Sequence, residues 1–196
     1  MIDTHAHIYA DQFKDDSKDM LERAREQGIE RIYMPNIDHT SIDGMLQLEE
    51  DNPGFCFATM GLHPCSVKKD FEKELYIVEE WLGKRKFAAI GEMGTDLYWD
   101  KSTLKQQTEA FQKQIIWAKE MNLPIVIHAR NSYAEIFKVI DRLNDDSLTG
   151  VFHCFTGDIE QAKHIINYGG FKLGIGGVVT FKNSGLDKTL NNIDLN

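Results

Sequence analysis

Pro124-Ile125-Val126-Ile127-His128 sets a wholly apolar run directly in front of a histidine, and Val151-Phe152-His153 repeats the arrangement further along. Short apolar runs of this kind read as strands buried on both faces, as in a parallel sheet covered by helices. Working outward from these two, the same unit recurs along the chain. Strands are expected at residues 1–4, 29–35, 55–62, 87–90, 124–127, 149–152 and 171–173. Helical patterns lie between them, at 17–27, 41–50, 71–83, 103–121, 133–143 and 159–167, with a short one at 186–192. Leu75, Val78 and Leu82 show the spacing that puts apolar residues on one helical face, and Gly28 closes the first helix with a residue that tolerates positive φ.

Strands alternating with helices imply a parallel sheet. An open doubly wound sheet is the rival to a barrel, but no glycine-rich phosphate fingerprint follows the first strand. Polar residues stand instead at the C-terminal end of nearly every strand. In an α/β barrel those ends converge on one mouth, whereas an open sheet gathers fewer of them at its switch point. The expected fold is therefore α/β, a TIM-type (β/α)8 barrel. With no internal repeat, low-complexity segment or linker, residues 1–196 read as one domain.

Composition narrows the function. Lys and Arg number 22 against 31 Asp and Glu, for a net charge of −9, and the basic residues form no cluster. A protein that grips DNA along its length needs clustered cations to displace counterions. Any polynucleotide must be engaged locally, where bound metal supplies the positive charge, so a shallow salt dependence is expected. No apolar run approaches the roughly 20 residues that cross a bilayer, and no signal peptide opens the chain. No membrane or obligate protein partner is evident. The three cysteines are far apart and form no CxxC pair, which suits a reducing, cytoplasmic compartment. Each is expected to be a small buried thiol.

Asp3-Thr4-His5-Ala6-His7 is the strongest local signal. Alternate residues of an extended chain point the same way, so His5 and His7 can share a cation. Glu92 stands in Gly91-Glu92-Met93-Gly94 after the fourth apolar run, where a carboxylate can bridge two metals, one oxygen each. The flanking glycines allow close approach of backbone and ligand. The plainer readings are a polar N-terminus and a surface acid in a turn. His128 and His153, alone, would read as satisfied core residues. Together, His5, His7, Glu92, His128 and His153 make a mixed imidazole–carboxylate set at one mouth, suited to Zn2+ or Mn2+, while Mg2+ prefers oxygen. His63, in Gly61-Leu62-His63-Pro64, is placed to donate to a substrate oxygen, and Arg130 to hold a phosphate by paired N–H donors. Asn36, Asp96 and Tyr98 are further candidates. His39 and His164 read as solvated surface residues.

These pieces resemble the TatD family of metal-dependent deoxyribonucleases, within the metallo-dependent hydrolase superfamily. The matching segments are DTHAH at residues 3–7, GLHP at 61–64, GEMGTDLY at 91–98, IHAR at 127–130, HCFTG at 153–157 and GGVVTFKN at 176–183. The resemblance implies a two-metal phosphodiesterase that acts on DNA from a 3′ end, using Mg2+, Mn2+ or Zn2+. It implies that His5 and His7 bind one metal with Glu92 bridging, and that Glu92, His128 and His153 hold the second. Glu92, His63 and Arg130 are the catalytic candidates. Thr95 stands where the family usually has Leu.

The family's eighth strand carries an aspartate in a motif like ETDAPY. The sequence reaches Asn192-Ile193-Asp194-Leu195-Asn196 without it, and neither Asp187 nor Asp194 fits the motif. The expectation is a barrel truncated before its eighth strand. Two alternatives follow: an amidohydrolase acting on a small cyclic amide or ester, and an inactive binding module.

Overall fold

The computed structural model describes residues 1–193. Among the described residues, seven parallel strands alternate with seven helices in chain order. The strands are β1 (Ile2–Asp3), β2 (Arg31–Pro35), β3 (Cys56–Thr59), β4 (Ile90–Asp96), β5 (Ile125–Arg130), β6 (Gly150–Phe152) and β7 (Phe171–Leu173). The helices are α1 (Ser17–Glu26), α2 (Ile42–Asp51), α3 (Phe71–Lys84), α4 (Leu104–Met121), α5 (Tyr133–Leu143), α6 (Ile159–Asn167) and α7 (Leu186–Leu190).

Strands β1-β2-β3 and β4-β5-β6-β7 form two ladders, joined by a parallel bridge between Met60 and Ile90. The result is one arc in sequence order, a partial (β/α) barrel, with β1 and β7 at its ends among the described residues. Asp194 lies outside those residues. Asp187 is exposed on α7.

Amphipathic helices cover the outside of the arc. Phe71, Leu75, Val78 and Leu82 bury one face of α3, and Ile136, Val139 and Ile140 bury that of α5. Helix α4 is more than a cover. Its buried Gln114 accepts a hydrogen bond from the Leu62 amide at 2.8 Å, and its buried Gln107 accepts one from the Asp96 amide at 2.8 Å. A buried amide without a partner costs stability, so each glutamine is held in place by the strand end it satisfies. Both bonds fix backbone next to side chains that enter the barrel mouth.

The largest departure from expectation is β4. Its apolar lead-in, residues 87–89, stays outside the strand, and the ladder starts at Ile90 and continues to Asp96. Glu92 is therefore a strand residue, not a turn acid. Pairing to β5 shifts register between Ile90 and Met93, which leaves an extra residue in β4. Such a bulge re-aims a side chain, and bulges gather beside active sites. The glycines serve backbone rather than ligand approach. Gly94 has φ +140°, and a Cβ there would lie 2.1 Å from the His128 carbonyl oxygen. Only glycine lets β4 and β5 pass this closely. Likewise β5 runs beyond its apolar run, so His128 lies within the strand and Arg130 ends it.

Candidate metal centre

Glu92 is the hub of the mouth. Its side chain is 1% exposed, and it is ringed by five histidines from four segments. Oε2 faces His5 Nε2 at 3.1 Å and His7 Nε2 at 3.2 Å. Oε1 faces His128 Nδ1 at 2.7 Å, His153 Nε2 at 2.7 Å and His63 Nε2 at 3.4 Å. The carboxylate thus presents one oxygen to each of two histidine groups. The inward nitrogens also crowd one another: His5 and His7 Nε2 are 3.2 Å apart, as are His128 Nδ1 and His153 Nε2. The rings of His5 and His153 stack at 3.8 Å.

Local structure explains why these side chains point inward. His5 and His7 lie just past β1, where the Ala6 amide still donates to the Tyr33 carbonyl at 3.0 Å. That bond keeps the chain extended and both rings on one side. His63 follows β3 and starts the short turn Pro64–Ser66. His153 follows β6, with its amide donating to the Ile127 carbonyl at 3.0 Å.

Hydrogen bonds at the back of the rings set the protons. The Tyr9 hydroxyl donates to the Pro35 carbonyl, so it must accept from His7 Nδ1, 2.8 Å away. Burial raises the Tyr9 pKa and keeps it a neutral phenol. Asp96 Oδ2 accepts from His128 Nε2 at 2.9 Å. In their neutral forms His7 and His128 therefore both aim a lone pair at the centre, the arrangement that carboxylate and hydroxyl partners impose on metal-binding histidines. His63 is set the other way. Its Nδ1 accepts from the Cys65 amide at 3.0 Å, so the neutral ring carries its proton on Nε2 and offers a donor. His5 Nδ1 is buried with no partner among the described residues.

Electrostatics follows the same division. Burial opposes charge on Glu92, yet hydrogen bonds from His128, His153 and His5 outweigh it and hold the carboxyl well below its ordinary range. Burial likewise opposes a charged His128, but Glu92 and then Asp96 raise its pKa above the ordinary value. At His5 burial wins over the pull of Glu92, and the pKa is lowered. Burial works against a charged Asp96 too, but His128 and the Trp99 and Tyr98 amides keep it lowered.

These residues line a cavity of about 410 Å³ with Asp3, Thr4, Cys154 and Gly174-Ile175-Gly176. That size is in the range of small-molecule and nucleotide-sized sites. His7 and His128, with their outer nitrogens already engaged, converge with His5 and His153 on one carboxylate, a donor set that a divalent cation satisfies. Two sets, His5–His7–Glu92 and His63–Glu92–His128, bring their ligand atoms within 4.8 Å of one another. The fixed tautomer of His63 argues for a donor rather than a ligand in the second set.

The chain matches the family described as "TatD related DNase" over residues 2–196. It belongs to the TatD family. Among its relatives it is 38% identical to the metal-dependent hydrolase YabD of Bacillus subtilis, over 94% of this chain and 71% of that protein. It is 28% identical to the 3′-5′ ssDNA/RNA exonuclease TatD of Pantoea vagans, over 95% of this chain and 72% of that protein. The crystal structure of the TatD homolog YjjV from Escherichia coli superposes with a TM-score of 0.91 at 29% identity, over 100% of this chain and 75% of that one. The chain is thus a TatD-family, metal-dependent hydrolase, and its His/Glu cluster is suited to hold metal.

Other sequence expectations fall into place around this TatD-family centre. Asn36 is wholly buried and does not line the cavity; it donates to the Gly61 carbonyl and accepts from Ser41, tying strand ends together. Arg130 does not line the cavity; its guanidinium lies 3.9 Å above the Tyr98 ring. His39 is exposed and paired with Glu74, while His164 is half-buried against Phe137 and paired with Asp141. The buried-thiol expectation fits Cys56, pushed up to about 11 by burial. It fails for Cys154, which is exposed at the cavity because the chain turns there, at φ +44°, to enter the next loop. Sequence reasoning missed Tyr9, although the alternation His5-His7-Tyr9 carries the signal. It also missed Gly174 and Ile175, whose role in lining comes only from the fold. Among the described residues, no helix is long and apolar enough to cross a membrane.

Proposed function

We propose that the protein hydrolyses phosphodiester bonds of DNA from the 3′ end with two divalent cations bridged by Glu92. The observation that carries this is the division of labour around one carboxylate: Oε2 toward His5 and His7, Oε1 toward His128 and His153. The exonuclease TatD relative supports the choice of nucleic acid as substrate. Mg2+, Mn2+ and Zn2+ are the candidate cations, with the imidazole-rich set favouring the latter two. Such cations supply Lewis acidity toward the phosphate and toward water.

The chain's own residues do the rest. Tyr9 and Asp96 hold a proton on the outer nitrogen of His7 and His128, so that each neutral ring turns its lone pair inward; a charged His128 gives up its inner proton as a cation binds. His63 Nε2–H, 3.4 Å from Glu92 Oε1, is a donor for a phosphate or leaving oxygen. Arg130 has no carboxylate within ion-pair distance among the described residues and stacks by its face, leaving its N–H edges for a phosphate at the rim. Its place outside the cavity suits the next phosphate along, not the scissile one. Residues 1–196 act as one domain, and the unpaired cysteines fit a reducing compartment such as the cytoplasm.

An amidohydrolase acting on a cyclic amide or ester is the reading set aside. Many such enzymes bridge their metals with a carboxylated lysine, and among the described residues no lysine lines this cavity. The test is Glu92→Gln, assayed with Mn2+ on a 5′-labelled single-stranded oligonucleotide. Cleavage should fall at least about 100-fold, in line with loss of a group that organises transition-state charge. Undiminished cleavage would end the bridging role, and turnover of lactones without oligonucleotide cleavage would move the protein to the other class.

A further inference from the structure

Two aromatic residues at the rim have no part in the chemistry above. Tyr98 and Trp99 follow β4 and are 54% and 70% exposed. Solvating a large indole is unfavourable, so its exposure calls for a reason. Their placement is not loose. The backbone amides of Tyr98 and Trp99 donate to Asp96 Oδ1 at 2.9 and 3.2 Å. The other oxygen of the same carboxylate holds His128. One buried side chain therefore ties the aromatic pair to a ring at the metal centre. The two rings meet edge to face, 4.8 Å apart. Arg130 lies 3.9 Å over Tyr98 and 5.6 Å from Trp99, so the guanidinium braces the pair.

We propose that Trp99 and Tyr98, braced by Arg130, form a stacking platform for the base of the nucleotide beside the scissile phosphate of a single-stranded nucleic acid. This rests on the phosphodiesterase reading and adds the source of substrate affinity. A chain of net charge −9 with no basic cluster cannot hold a polynucleotide through its phosphates alone. Stacking on an aromatic face supplies affinity without cations, and it accepts any base because every base has a π-face. It also selects unpaired strands, since bases inside a duplex already stack on one another. The platform would thus supply local grip, weak sequence preference and preference for unpaired strands.

The test compares binding of pentathymidylate with that of a base-free deoxyribose-phosphate pentamer, both fluorescein-labelled, by anisotropy. The proteins are the full chain, Trp99→Ala and Trp99→Phe. Because Trp99 is exposed, neither change should disturb folding, which circular dichroism verifies. The unaltered chain should bind pentathymidylate about 5- to 150-fold more tightly than the base-free pentamer, the effect of one stacked base. Trp99→Ala should erase that preference and Trp99→Phe should keep most of it. A preference that survives Trp99→Ala overturns the platform. If the unaltered chain binds and cleaves both oligomers equally, the platform falls while the phosphodiesterase reading stands. If it neither binds nor cleaves either one, both fall.

Discussion

Replacing Asp96 with Asn should cripple half of the metal centre without touching a ligand. Asp96 Oδ2 accepts the His128 Nε2 proton at 2.9 Å, and Oδ1 accepts the Tyr98 and Trp99 amides. An asparagine keeps one acceptor, which the two amides retain, and must turn its NH2 toward His128. Two donors would then face each other. The imidazole escapes by moving its proton to Nδ1, where it points at Glu92 Oε1, 2.7 Å away. The lone pair meant for the cation is lost. A hydrogen bond to a charged group is worth about 1.5–3 kcal/mol, or about 10- to 150-fold in affinity. Loss of partners behind metal ligands commonly costs about 10–100-fold, in agreement. Competition with a chromophoric chelator would measure Mn2+ or Zn2+ affinity, and long-range imidazole nitrogen spectra would report the tautomer. One of two binding steps should weaken while the other, at His5 and His7, changes little. An affinity change below about 3-fold, or a His128 ring that keeps its proton on Nε2, would refute the argument.

Three further outcomes follow from the same geometry. Tyr9→Phe removes a neutral acceptor behind His7, so the other binding step should weaken by only about 2- to 13-fold, in the same chelator competition. Gly94→Ala would set a Cβ 2.1 Å from the His128 carbonyl oxygen, and denaturant unfolding should show a loss of at least about 3 kcal/mol; a loss under about 1 kcal/mol would show that the strands can part. Metal affinity should rise with pH, because His128, raised above 6.5, must release its proton before binding, and calorimetry in buffers of different ionisation heat would count that proton. For the metal-free fold the sign is reversed: the charged His128–Glu92 contact stabilises fully below pH 6.5 and fades as pH climbs through the raised pKa, so pH-independent metal-free stability across that window would contradict it.

Much of the fold could be read along the chain. Runs such as Ile125–Ile127 and helix faces such as Leu75–Val78–Leu82 carry their periodicity locally, and the structure places elements close to the expected bounds. The exception is informative. Apolar character predicts a strand at residues 87–90, but β4 begins where that run ends. Its strand residues include Gly91, Glu92, Gly94 and Asp96, all poor strand formers. Tertiary contact overrides propensity here, because β5 and the buried Gln107 of α4 supply the partners that a lone segment lacks.

The cluster was legible as residue types: His5, His7, Glu92, His128 and His153 each stand in or just past the C-terminal part of a strand, and parallel topology sends those parts to one side. Which nitrogen each ring offers was not, since a tautomer depends on the atom behind it. Tyr9 and Asp96 face His7 and His128 only once the chain has closed its arc, and the Cys65 amide reaches His63 only in the turn after it. Sequence spacing determines which groups can meet. The direction of each proton, and with it the difference between a ligand and a donor, is decided by contacts between residues far apart in the chain.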